Sequence, residues 1–89
     1  MANAILTTDA RDVYYKNTNQ WSFKVGEKEF TVRVSEDSHG EETFWLNDDD
    51  HWVEDGFPEE VEKFLDLISY GYIDHQAMEG EEFDLEQDL

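Results

Sequence analysis

Three features of this chain have residue types that could do chemistry: three histidines, a run of three aspartates, and many paired carboxylates. His39, His51 and His75 are isolated, and no two share the His-x-x-x-His spacing that sets imidazoles on one helix face. With no cysteine, thiolate metal sites and disulfides are excluded. The histidines read as polar surface residues. Asp48-Asp49-Asp50 invites a calcium reading, but an EF-hand loop needs Gly at its sixth place and oxygen ligands at alternate ones. Counting from Asp48, the sixth residue is Val53, and Trp52 falls where a ligand belongs. Paired carboxylates suit general acid and base work, yet 89 residues leave little room for a substrate cleft. A Gly-rich phosphate loop and a Gly-x-Ser-x-Gly elbow are both missing. The expectation is no enzyme, no cofactor and no metal, which leaves charge as the chemistry.

That charge is lopsided. Residues 1–34 carry Arg11, Lys16, Lys24, Lys28 and Arg33 against Asp9, Asp12, Glu27 and Glu29, a net of +1. Residues 35–89 carry twenty acids against Lys63, a net of −19, within a chain total of −18. Like charges on one small body oppose compaction, so a strongly basic partner is the simplest reason for them. Adaptation to high salt would deplete lysine everywhere, whereas the first third keeps five of the six bases. Duplex DNA carries one charge per roughly 1.7 Å, so nineteen charges equal on the order of 30 Å of duplex, about one helical turn. A folded domain of this length spans about 30–35 Å.

The elements that would hold these charges start with a hairpin. Trp21–Val25 and Phe30–Val34 alternate apolar and polar, with Gly26-Glu27 suited to a tight turn. That register sets Phe23 opposite Phe30, Trp21 opposite Val32, Ser22 opposite Thr31, and Lys24 opposite Glu29. After a polar turn over residues 35–40, residues 42–46 read as a third strand, with residues 47–56 a loop anchored by Trp52 and Val53. A helix is expected over Pro58–Tyr70, with Val61, Phe64, Leu65 and Ile68 as its buried stripe and Gly71 as its stop. A shorter helix is expected over residues 73–78, then an acidic tail over 81–89. Residues 1–20 are the hardest to read: residues 9–15 suit a short helix capped by Thr8, or a strand including Val13 and Tyr15. The expected fold is one α+β domain, a small three-stranded antiparallel sheet followed by one or two helices.

Aromatics make up 15% of the residues, which argues against disorder and supplies the core of a short, self-repelling chain. The longest apolar run is far below the roughly 18–20 residues of a membrane span, and the N-terminus lacks a signal-peptide pattern. A cytoplasmic life is expected, with no membrane partner.

In size, acidity, aromatic content and lack of cysteine the chain resembles the small acidic DNA mimics that phages and mobile elements direct against host nucleases. These are the anti-CRISPR and anti-restriction proteins. Val61-Glu62-Lys63-Phe64 and Glu81-Glu82-Phe83, with Gly71-Tyr72 between, are similar to segments of an anti-CRISPR inhibitor of RNA-guided DNA nucleases. The resemblance implies that acidic loops and tail occupy the basic site where the nuclease first engages duplex DNA, with Glu81 and Glu82 in that role.

On charge, the expected partner-binding residues also include Asp48, Asp49, Asp50, Glu54, Asp55, Glu79, Asp84, Glu86 and Asp88. Tyr70, Tyr72 and Trp52 are candidate apolar anchors, Tyr70 foremost because it lies off the buried stripe. The expected function is a DNA-mimic inhibitor of a basic nucleic-acid-binding protein, a nuclease or defence complex, acting in the host cytoplasm without binding nucleic acid itself. Immunity against a nuclease toxin is the rival reading. Monomer and homodimer both remain open, the latter through an edge strand.

Overall fold

The turn at Gly26 organises the molecule. Gly26 has φ 64°, as the first central residue of a type II′ turn requires, and Glu27 stays at negative φ. The turn joins β3 (Thr18–Val25) to β4 (Lys28–Asp37) in the expected register, pairing Phe23 with Phe30, Trp21 with Val32, Ser22 with Thr31 and Lys24 with Glu29. The computed structural model describes residues 3–13, 18–37, 40–74 and 76–86, with the side chains of 11–13 and 37 left aside. Tyr15, His39, His75 and Asp88 lie outside the described residues.

The sheet continues in both directions from this hairpin. β5 (Gly40–Leu46) pairs with β4, and β6 (Trp52–Val53) with the end of β5. On the other side, β1 (Asn3–Leu6) and β2 (Arg11–Val13) pair with successive parts of β3. β7 (Glu82–Asp84) returns from the C-terminal end to pair with β1. The strand order is β6-β5-β4-β3-β1-β7, with β2 beside β3 off this path, and every pairing is antiparallel.

The expected three-stranded sheet followed by one or two helices is therefore corrected to a mostly sheet fold, six strands wide along one path, with one short helix. The additional strands have two to four residues each. That is too short for a period-two pattern to stand out, and their partners define them instead. Residues 9–15 supply a strand, Arg11–Val13, in place of the helix alternative. Residues 73, 74 and 76–78 are bends, turns and irregular chain in place of a second helix, with Ile73 and Ala77 buried. The tail enters the sheet as β7.

The helix α1 (Glu59–Ser69) crosses one face of the sheet. Pro58 is its N-cap and offers no side-chain cap, so Glu59, Glu60 and Glu62 act at the positive end of the helix dipole. Its far end is a Schellman motif: the Tyr72 N–H donates to the Leu67 carbonyl (2.9 Å), the Gly71 N–H donates to Ile68 (3.1 Å), and Gly71 sits at φ 85°. Val61, Phe64 and Leu67 are buried. Leu65 and Ile68, expected in the stripe, are half-buried, because they face a groove between α1 and β5 while Leu67 turns into the core.

Phe64 stacks on Phe23 with centroids 3.9 Å apart and planes 5° from parallel, and Phe23 stacks in turn on Phe30 at 5.3 Å. Ala4, Leu6, Trp21, Val32 and Leu85 complete the core beside them. Each fully buried side chain of this size contributes about 1.5–3 kcal/mol. The Trp21 indole N–H donates to the Asp74 carbonyl (3.1 Å), which ties the segment after the helix to the sheet. No helix among the described residues is long and apolar enough to cross a membrane.

Candidate partner-binding surface

Each acidic group is displayed by a specific local device. The aspartate run forms the turn between β5 and β6. Asn47 Oδ1 accepts from the backbone N–H of Asp49 (2.9 Å) and of His51 (3.0 Å), and Asp50 takes φ 60°. The Asn47 N–H donates to the His51 carbonyl and closes the loop at 3.0 Å. Asp48, Asp49 and Asp50 are all exposed, with their carboxylates left out of these bonds. The Trp45 indole N–H donates to the Asp55 carbonyl (3.0 Å), fixing the segment that exposes Glu54 and Asp55.

The second group sits at the opposite edge. Glu82 and Asp84 are on β7, and Glu79, Glu81 and Glu86 flank it, all five exposed. Several carboxylates there also brace the backbone. Glu81 accepts from the Met78 N–H (2.6 Å), Asp84 from the Glu86 N–H (2.9 Å), and Glu82 from the Asn3 amide (3.1 Å). The two groups are therefore not one patch. Five strand spacings of ~4.8 Å put them about 24 Å apart across the sheet.

Two further acidic sets lie outside the expected partner-binding residues. Glu59, Glu62 and Asp66 are exposed along α1, and their distance from the buried stripe at helical period was the available signal. At the far end of the β4–β5 hairpin, Glu36 and Glu41 are direct cross-strand partners, and Glu42 follows. Like charges directly opposite destabilise a sheet. Glu36→Lys is therefore expected to raise the melting temperature by about 2–4 °C, equivalent to ~0.5 kcal/mol. Melts followed by circular dichroism at low salt check this, and a lower melting temperature would sink it.

Every acidic side chain described is exposed except Glu60, which is half-buried. Among the described residues the ion pair is Lys63 Nζ to Glu59 Oε1 at 3.2 Å, so the other described carboxylates have no described cation as a partner. No three described His, Asp or Glu side chains converge as a metal-binding set.

Of the aromatic candidates, Tyr70 is 66% exposed and Tyr72 52%, held outward at the C-cap and the residue two beyond it. Trp52 is half-buried and carries the Arg33 guanidinium 4.1 Å above its ring, while Arg33 Nη2 donates to Gln20 Oε1 (2.9 Å). Trp52 is thus already engaged within the fold. Comparison with known proteins adds nothing further: no family model, curated protein or solved structure matches this chain.

Proposed function

We propose that this chain is a DNA mimic: it occupies the basic nucleic-acid-binding site of another protein, a nuclease or other component of a host defence system, and excludes DNA. The observation that carries the reading is the set of exposed carboxylates, without a described cation as a partner, on both edges of the sheet and along the outer helix. They are spread over a body 37 Å in its longest dimension, close to the ~34–36 Å of one duplex turn. Folding does not require such a charge and is opposed by it. A site that binds phosphates through Lys and Arg meets the same sign of charge here. Tyr70 and Tyr72 add apolar contact of the kind that concentrates binding energy. The host cytoplasm is the expected place of action.

The test is competition. A partner captured from a bacterial lysate is titrated with a duplex oligonucleotide in the presence of this protein. Mutual exclusion is expected, with affinity falling steeply between about 50 and about 200 mM salt. Simultaneous binding of both, or affinity indifferent to salt, would falsify the proposal. Changing Asp48, Asp49 and Asp50 together to Asn is expected to weaken binding about tenfold, ~0.5 kcal/mol for each exposed charge. The melting temperature should not fall, since Asn47 supplies the turn's hydrogen bonds and Asn tolerates the left-handed backbone of Asp50.

A further inference from the structure

The sheet has an open edge with a groove beside it. β6 covers only Trp45 and Leu46 of β5, and no described strand pairs with the outer side of residues 41–44. Backbone direction alternates along a strand. The Asn47 N–H points toward the β6 side, where it bonds His51, so Trp45, Thr43 and Glu41 turn their N–H and C=O the same way. At Glu41 and Thr43 those groups face outward with no described strand against them. Beside this edge, between β5 and the C-terminal half of α1, is a groove of about 280 Å³. Val34, Leu65 and Ile68 line it with apolar side chains, and Thr43, Ser69, Glu41 and Asp66 make the rest of its surface polar and partly acidic. The last turn of α1 holds no basic residue, so the negative end of the helix dipole adds to that rim.

We propose that this edge docks an extended segment of the basic partner as an additional antiparallel strand. Alternate apolar side chains of that segment would enter the groove, with Lys or Arg reaching Glu41, Asp66 and, on the opposite face, Glu42. The partner's basic character rests on the function proposed above; the edge and groove do not. Charge decides between the candidate occupants. A second copy pairing the free residues 41–44 of β5 antiparallel with their equivalents would set Glu42 opposite Glu42 with both Glu41 side chains one position away, and like charges directly opposite destabilise such a pair. A basic strand would instead relieve the Glu36–Glu41 repulsion. Strand addition of this kind takes affinity from the main chain and specificity from alternate side chains.

The probe is a capped octapeptide alternating lysine and valine, with a control that is N-methylated on alternate residues and so carries the same charge but cannot pair. Binding to the full chain is followed by amide chemical shifts and hydrogen exchange. The expected result is protection of the Glu41 and Thr43 amides, shifts at Leu65 and Ile68, and at least tenfold weaker binding of the control. Thr43→Pro, which removes an outward N–H and no ladder bond, is expected to abolish the protection while keeping the β4–β5 amides slow to exchange. Equal binding of both peptides, with shifts spread over the whole acidic surface, would overturn the inference. So would self-association of the protein alone through β5, seen by sedimentation. Failure here with DNA competition intact removes the docking edge and leaves the mimic; binding at β5 without DNA competition does the reverse.

Discussion

Truncation after Gly80 is expected to unfold the protein, although the segment removed looks in sequence like a solubilising tail. β7 pairs with β1 at Asn3, Ala4 and Ile5, and the Leu6 N–H donates to the Glu81 carbonyl at 2.9 Å. Leu85 is 4% exposed within the core, and Phe83 packs against it. Loss of a buried Leu side chain alone costs about 2–5 kcal/mol. The truncation removes the strand pairing as well, against a total stability of only about 5–15 kcal/mol for a typical domain. The expected result is loss of the cooperative thermal transition at low salt. A truncated chain that melts within a few degrees of the full one would show that β7 contributes little.

The same geometry shows how the charge of this edge can be tested without the fold. Replacing Glu79, Glu81, Glu82, Asp84 and Glu86 with their amides keeps an oxygen acceptor for the Met78 and Glu86 N–H groups and for the Asn3 amide. Partner affinity should fall while the melting temperature holds or rises, because five repelling charges have gone. A deletion would confuse the two effects.

How much of this was legible beforehand depended on the range of the interactions. The β3–β4 hairpin was readable because its alternation, its turn glycine and two cross-strand pairs all specify one register. The helix was readable from its period, but its stripe was read one contact off: Leu67 is buried, while Leu65 and Ile68 line the groove. That shift comes from how α1 sits on the sheet, which no local pattern encodes. The short edge strands were invisible because Glu82-Phe83-Asp84 becomes a strand only by meeting residues 3–5, and Asn3 and Glu82 are 79 positions apart. The acidic character of the surface was plain in the sequence. Its division between two opposite edges was not, since it follows from the same long-range pairing.

Phe64→Ala is the second large effect expected, and it connects the core to the surface charge. Phe64 is fully buried, and its ring covers the ring of Phe23 at 3.9 Å, a direct stacking contact between helix and sheet. Removing such a ring costs about 3–5 kcal/mol, of which the stacked pair accounts for ~0.5–1.5 kcal/mol. The remaining stability must still resist the repulsion of a net charge of −18. Sodium chloride, a weakly kosmotropic salt, acts mainly on that repulsion, since the screening length falls from about 10 Å at 0.1 M to about 3 Å at 1 M while the cavity stays. Phe64→Ala should therefore lack a cooperative melt at low salt and recover one at high salt. Phe64→Leu, which fills most of the space, should melt at both. If salt leaves the melting temperatures of all three proteins unchanged, the carboxylates do not oppose folding. The charge would then need no partner to explain it. If salt restores Phe64→Ala, the aromatic stack between α1 and β3 is what allows so small a fold to present so acidic a surface.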